Sequence, residues 1–202
     1  METRQRIVDA AAELFCRQGY SGSGLQQIAR QSGSPIGSMY HFFPGGKDEL
    51  TAEALRWSGH GYQLLVEGVF DGAPDLPSGV RAVFAGAAEV LAATDYADAC
   101  PIETVALEVA STNEPLRLVT AEIFQSWIAS ASERGEGAGL PSGQARALGI
   151  AIIAALEGAF VLSRALKSPE PLAAAGEAMV AATEAALARP APKRRHRKVR
   201  QP

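Results

Sequence analysis

The stretch that decides the fold is residues 34–47, SPIGSMYHFFPGGK. Its opening Ser-Pro pair is typical of an N-cap and first helical position, so a helix is predicted to begin at Pro35. The Pro-Gly-Gly run at its end stops that helix after two turns. Just upstream, Gly33 suits the left-handed conformation of a tight turn. A second short helix, at about 24–32, precedes this turn, so the pair is predicted to form a helix-turn-helix.

The apolar spacing around this stretch predicts a small three-helix unit. A first helix is predicted at about 4–18, with Gly19 as its C-terminal stop, because apolar residues recur along one face. The small side chain of Ala29 suits the place where the two short helices cross. The predicted core of the unit consists of Ile7, Ala11, Leu14, Phe15, Ile28, Ala29, Met39 and Phe42.

The remainder of the chain also predicts helices and no strands. Pro and Gly punctuation separates them at about 47–70, 78–94, 102–111, 115–134, 142–167 and 170–188. The expected fold is therefore all-α. We expect a helix-turn-helix DNA-binding domain at 1–50 and a ligand-binding and dimerisation domain at 51–189. The Pro-rich basic tail at 190–202 has no apolar face and is expected to be disordered.

Composition and charge narrow the possible functions. Residues 193–200 carry six of the 19 basic residues and no acid, which leaves 13 basic against 22 acidic residues elsewhere, a net charge of −9. Contacts to DNA would therefore have to be local, although the basic tail could add salt-dependent affinity if it is not simply solvated. The two cysteines are far apart in sequence and predict free thiols. We expect no metal site and no cofactor.

Two further features bear on location and class. Residues 2–6 are polar and predict no signal peptide, and the most apolar stretch, 147–162, is judged too short to span a membrane. A cytoplasmic protein is therefore expected. With three histidines, no Gly-rich phosphate loop and no nucleophile–base set, the chain is not expected to be an enzyme.

One run of residues extends beyond the short helices and carries a family resemblance. It comprises Ile7, Ala11, Leu14, Phe15, Gly19, Tyr20, Ile28, Ala29, Gly33, residues 37–43, Lys47 and Leu50. This run resembles the TetR family of repressors. Residues 34–47, together with Cys100-Pro101-Ile102 and the Val-Ala-Leu-Glu run at 105–108, look like its LmrA/YxaF branch. The resemblance implies an operator-binding protein that responds to a ligand.

The third helix is predicted to lie in the major groove of operator DNA. Its outward side chains are candidate base contacts. The resemblance assigns Tyr40 and Lys47 to phosphates, and Lys47 begins a helix, where anions are favoured. Two alternatives without a DNA contact remain open: Tyr40 could be a buried core residue, and His41 could simply be solvated. The candidate DNA contacts are Thr3, Arg6, Pro35, Ile36, Gly37, Ser38, Tyr40, His41 and Lys47.

The C-terminal half predicts a homodimer. The helix at 142–167 is apolar almost all round and needs burial on every side, which a second copy can supply. Its predicted partner is the Ala-rich helix at 170–188, so that two copies form a four-helix bundle, as the family does.

The other helices of this half are expected to enclose a pocket for a small apolar or aromatic effector. Glu157 is costly to bury without a partner, so it binds either the ligand or a neighbouring group. Each aromatic side chain could equally be plain core. The candidate pocket residues are Trp57, Tyr62, Phe84, Cys100, Ile102, Leu107, Phe124, Trp127, Glu157 and Phe160.

The function expected from the sequence is a ligand-responsive, homodimeric transcriptional repressor that leaves its operator when the effector binds. Two alternatives remain. A helical small-molecule-binding protein without DNA binding would leave Ile36, Tyr40 and Lys47 unexplained. An activator with the same fold would carry the same residues.

Overall fold

The computed structural model describes residues 2–188, which form nine α-helices and no strand. The expected all-α fold is confirmed. The basic tail at 190–202 lies outside the described residues. The helices are α1 Thr3–Gly22, α2 Leu25–Gln31, α3 Ile36–Phe42, α4 Lys47–Asp71, α5 Leu76–Ala93, α6 Pro101–Val109, α7 Glu114–Gly137, α8 Ser142–Leu166 and α9 Glu170–Ala188.

Helix boundaries follow local capping chemistry. The Asp75 carboxylate accepts a hydrogen bond from the amide of Ser78, at 2.8 Å, and begins α5. The Asn113 side chain does the same for the amide of Leu116, at 3.1 Å, and begins α7. These caps satisfy amides that have no partner inside their helix. The predicted boundaries therefore lie within a few residues of those observed.

Helix α3 begins one residue later than predicted. Pro35 has extended backbone angles and occupies the N-cap, so α3 starts at Ile36. Ser34, predicted to be the cap, is buried, and its hydroxyl donates to the carbonyl of Ser32 at 3.4 Å. Gly33 has φ +63° in the turn, as expected.

Helix α1 also differs from its predicted end. Gly19 adopts φ +69° and ψ −172°, which breaks the helix, but one further turn follows to Gly22. A left-handed glycine is the expected stop signal. It produces a kink here instead of a terminus, and the amides beyond the kink point away from the helix ladder.

The first hydrophobic core joins the helix-turn-helix to helices of the C-terminal half. Phe15, Ile28 and Met39 are fully buried in it, and so are Ile102 of α6 and Leu116 of α7. Helix α6 therefore belongs to the same packed unit as the helix-turn-helix.

One residue of the predicted core differs. Phe42 is only half-buried, whereas Phe43, which the helical spacing did not select, is 1% exposed. Phe43 is the C-cap residue of α3, so its side chain leaves the helical pattern and turns inward. The guanidinium of Arg4 lies 5.3 Å from the centre of its ring.

The second core lies between α5, α8 and α9. Val80, Phe84, Leu91, Leu172 and Val180 are buried there. Gly176 of α9 allows the close approach of α5, because a Cβ atom at this position would lie 2.8 Å from the Cβ of Phe84.

Helices α5 and α8 are long and apolar enough to cross a bilayer, by length and composition alone. The length argument made from residues 147–162 is therefore wrong, since α8 extends over 25 residues. Both helices pack within the helical bundle, α5 against α9 and α8 against α7 and α9. Core helices of soluble proteins pass the same test.

Candidate DNA-binding surface and effector site

Helix α3 presents apolar and aromatic side chains to solvent. Ile36 is 44% exposed and Tyr40 is 59% exposed, while Met39 on the opposite face is buried. Pro35 and Gly37 are also exposed, so the backbone at the start of the helix is accessible. An exposed Ile and Tyr one turn apart are poorly suited to a merely solvated helix, but suit contact with thymine methyl groups and phosphates.

The other two candidates on α3 lie on the same accessible side. Ser38 is half-buried and can still donate or accept a hydrogen bond. His41 is exposed, and its ring packs edge-on against Phe42 with 4.9 Å between centroids. Helix α3 thus brings its six candidate contacts onto one short helix.

The predicted phosphate contacts on α1 lie next to the turn of the helix-turn-helix. Arg6 donates to the carbonyl of Ser32 at 3.3 Å and to the hydroxyl of Thr3 at 3.4 Å. Thr3 and Arg6 are thus held together, with both side chains half-buried. A guanidinium is planar and suits the oxygen atoms of a phosphate, so Arg6 remains a candidate contact.

Lys47 is placed by an aromatic ring. Its ammonium group lies 4.1 Å from the centre of the Tyr20 ring, at the start of α4. Burial lowers the pKa of Lys47, and the negative charges of Glu108 and Asp48 oppose that shift. Tyr20 in turn donates its hydroxyl to Asp48. The pKa of Tyr20 is raised to about 12, mainly because of burial and secondly because of this hydrogen bond.

The candidate effector residues do not all meet at one place. Phe84 is buried in the second core and Phe160 packs against it, while Ile102 is buried in the first core. The Trp127 indole N–H donates to the carbonyl of Gly59 at 3.0 Å. Its ring meets Phe124 edge-on at 5.6 Å. Side chains at the surface are Trp57, Tyr62 and Leu107.

Two of the candidates, Cys100 and Glu157, form a buried polar pair between α6 and α8. Burial raises the pKa of Glu157 to about 7; the hydrogen bond with the Cys100 thiol opposes this rise and the charge of Glu103 adds to it. Oε2 of Glu157 is buried without a hydrogen-bond partner, although the residue as a whole is only half-buried. Burial also raises the pKa of Cys100 well above the usual thiol value.

A surface cleft of about 410 Å³ lies about one helical turn from this pair along α6 and α8, although neither Cys100 nor Glu157 lines it. The cleft lies between α6 and α8, and Glu103 and Leu107 line it one and two turns beyond Cys100. Of the lining residues, sequence reasoning assigned only Leu107. Helical spacing from Glu157 gives a signal for two of them, Val161 and Arg164, at i+4 and i+7. The other lining residues are Tyr96, Thr104 and Ala165.

The two cysteines do not pair with each other. Cys16 and Cys100 are both free thiols, as expected. The Tyr62 hydroxyl lies beside Cys16, and burial raises the pKa of that thiol to about 11. Between residues 2 and 188, no three His, Cys, Asp or Glu side chains are grouped in a way that could hold a metal ion.

Comparison with known families assigns both halves of the chain. Residues 7–54 match the family described as bacterial regulatory proteins, tetR family. Residues 78–178 match the C-terminal domain described as transcriptional regulator LmrA/YxaF-like. This chain belongs to the TetR family. It is therefore a DNA-binding transcriptional regulator of that family and not an enzyme.

Individual relatives support the same assignment along most of the chain. The uncharacterised HTH-type transcriptional regulator YxaF of Bacillus subtilis is 34% identical over 171 residues, which are 85% of this chain and 90% of the relative. The HTH-type transcriptional regulator LmrA of the same organism is 30% identical over 171 residues, covering 85% and 91%.

Solved structures share the helical fold. A TetR transcriptional regulator from Chloroflexus aurantiacus superposes with a TM-score of 0.74 at 26% identity, covering 89% of this chain and 92% of that one. A TetR regulator from Legionella pneumophila gives 0.80 at 17% identity, covering 90% and 97%. The second likeness concerns the fold alone.

Proposed function

We propose that this TetR-family regulator is a repressor that binds operator DNA as a homodimer and leaves it when a small apolar or aromatic effector binds. It would act in the cytoplasm, where its DNA target lies. The observation that carries the proposal is the accessible face of α3, on which Ile36 and Tyr40 are exposed. Two such helices bind successive half-sites when a dimer holds them about one helical turn of DNA apart, roughly 34–36 Å.

The homodimer is supported by the outer face of α8. Ile150, Leu162 and Leu166 of this helix are exposed in the single chain. A contiguous apolar face of this kind is unusual on a monomeric protein. Packing α8 and α9 against the same helices of a second copy removes this face from water.

The effector proposal is supported by the Cys100–Glu157 pair and the nearby cleft. Oε2 of Glu157 is a buried acceptor that lacks a donor, and a ligand hydroxyl or amine could satisfy it. The cleft wall adds the apolar side chains of Leu107 and Val161. A ligand releases DNA only if it binds the released conformation more tightly than the DNA-bound one.

Selection of duplexes from a random pool by the full chain tests DNA binding. We expect an inverted repeat to be enriched. Tyr40→Ala should lower affinity for the selected duplex at least about tenfold, because a phosphate contact is lost in both protomers. Tyr62→Phe, which alters another exposed tyrosine, is the matched control. Enrichment of no sequence, with tight binding of apolar aromatics, would favour the carrier without DNA binding.

Release is tested on the same duplex. A library of small apolar and aromatic compounds is added to the complex, and fluorescence anisotropy reports the bound fraction. Active compounds should lose potency with Glu157→Gln. Reporter expression that rises when the protein is deleted supports a repressor, whereas expression that falls supports the activator.

A further inference from the structure

Glu108 ties α6 to the kinked end of α1. Its Oε1 accepts a hydrogen bond from the backbone amide of Tyr20 at 2.8 Å, and its Oε2 accepts one from the amide of Ser21 at 2.8 Å. Both amides are free to be bound because Gly19 breaks the helix just before them. A carboxylate on two adjacent amides is a charge-assisted pair of bonds, stronger than neutral ones.

Gly19 is shaped to this contact. Its φ of +69° favours glycine, and a Cβ atom there would lie 1.9 Å from Oε1 of Glu108. No side chain larger than hydrogen therefore fits while the carboxylate stays in place. The kink in α1 and the glutamate on α6 form one structural unit.

Helix α6 joins this unit to the proposed effector site. Cys100, which adjoins Glu157, is the N-cap of α6, and Glu108 is on its last turn. Eight residues of α-helix separate them by about 12 Å. A second connection follows α6, where the Asn113 amide donates to Asp48 of α4 at 2.9 Å.

We propose that Glu108 is a positioning residue that sets the orientation of the helix-turn-helix relative to α6, and that specific operator affinity depends on it. This proposal deepens the proposed function and rests on it. Two reading helices can occupy two half-sites together only if each is held at the correct angle. Non-specific binding has no such requirement, because it depends mainly on phosphate charge.

The direction of the change in DNA affinity distinguishes this positioning role from a purely electrostatic effect of Glu108. Glu108 is close enough to oppose the pKa shift of Lys47, so its negative charge lies near the proposed DNA-binding face. Removing that charge should strengthen DNA binding if electrostatics alone matters. If Glu108 positions the helix-turn-helix, removing its side chain should instead weaken binding to the selected duplex. Glu136→Gln, which removes an exposed acidic charge of α7, is the matched control.

The experiment measures affinity of the full chain for the selected duplex and for a scrambled one. Glu108→Gln and Glu108→Ala should lower affinity for the selected duplex about tenfold or more, and leave the scrambled duplex within about twofold. Equal losses on both duplexes, or no loss in either variant, would overturn the proposal. Failure of the wild-type protein to prefer any duplex would instead remove the proposed function.

A double-mutant cycle with Gly19→Ala tests the geometry. In the wild-type background the new methyl group displaces the carboxylate, so specific affinity should fall as in Glu108→Ala. The backbone strain of the substitution is present in both backgrounds and cancels in the cycle. We expect the double variant to be no weaker than the weaker single variant. Additive losses would contradict a shared contact.

Hydrogen exchange gives a readout that does not involve DNA. The amides of Tyr20 and Ser21 should exchange at least about tenfold faster in Glu108→Gln and Glu108→Ala, while amides of α8 and α9 keep their wild-type rates. Unchanged exchange at Tyr20 and Ser21 would show that Glu108 does not hold them in solution. Faster exchange throughout the protein would indicate a general loss of stability and would also count against the positioning role.

Discussion

The two hydrophobic cores of this protein differ in how completely one chain fills them. The first core surrounds Phe15 and Ile28 with side chains from α1 to α4, α6 and α7, and within helices α1 to α3 the exposed large apolar residues are Ile36 and Tyr40 of the α3 face. The second core buries Phe84 and Leu172, but leaves an apolar row along α8 in solvent. The DNA-reading half is therefore complete within one chain, whereas the bundle half requires another surface.

Phe15→Ala is expected to have the largest effect. Phe15 is fully buried in the first core, and such truncations cost about 3–5 kcal/mol of the free energy of unfolding. Because that core is complete within one chain, the loss should be the same at every protein concentration. Urea denaturation at several concentrations measures it. The comparison residue is Phe160, which is only half-buried beside the second core, and Phe160→Ala should cost clearly less. Equal costs would contradict the difference between the cores.

Leu162→Glu tests the incomplete side of the comparison. Leu162 is 55% exposed on α8, and a carboxylate there would be buried in the proposed dimer interface. Sedimentation equilibrium should show monomers. Operator affinity should fall about a hundredfold, since only one half-site is then held. Leu118→Glu, on α7 and 53% exposed, is the matched control and should remain dimeric. A monomeric wild-type protein would remove the interface altogether.

The sequence predicted the elements better than their surfaces. Helix bounds follow from caps and breakers that lie next to one another in the chain, such as Asn113 before α7. Burial at the ends of helices does not follow from the helical spacing. Phe43 leaves the helical pattern and packs inward, whereas Phe42 was expected to be the buried residue. The apolar helix α8 was also underestimated in length, because residues 147–162 are only part of its 25 residues. Whether such a helix faces lipid or protein depends on tertiary packing.

Parts of the candidate site that depend on residues close together in the sequence were predictable, and parts that depend on distant residues were not. The face of α3 follows from a seven-residue helix, so spacing predicts the outward direction of Ile36 and Tyr40, whereas the phosphate role of Tyr40 is implied by the family resemblance. The contact between Glu108 and the amides after Gly19 joins positions that are 87 and 88 residues apart. The sequence contains only an indirect signal of it, a glycine that fails to end its helix.

Glu157→Gln should change the pH dependence of stability. The folded-state pKa of Glu157 is about 7, above its usual value of 4.5, mainly because of burial. The native protein therefore binds this proton more tightly than the unfolded chain does, and stability is lost as pH rises from about 4.5 through 7. Glutamine has no proton to lose, so the variant should be more stable than wild type at pH 8, by about 1–3 kcal/mol, and similar at pH 4.

Urea unfolding across this pH range measures the difference. Glu89→Gln, an exposed glutamate on α5, serves as the control and should keep the wild-type pH profile. A Glu157→Gln profile that is parallel to that of the wild type would show that this carboxyl has the same pKa in the folded and unfolded states. Glu157 would then be an ordinary surface acid instead of a buried acceptor for a ligand.

Lys47→Ala is expected to have the smallest effect. The ammonium group of Lys47 already lies over the Tyr20 ring, so a phosphate replaces part of an existing cation–π contact and the net gain in affinity is small. Affinity for the selected duplex should fall a few-fold, and the slope of log affinity against log salt should decrease by about one per protomer. Lys167→Ala, at the end of α8 and paired with Asp95, should leave the slope unchanged. An unchanged slope in Lys47→Ala would place the first residue of α4 outside the DNA contact and confine the reading surface to α1 and α3.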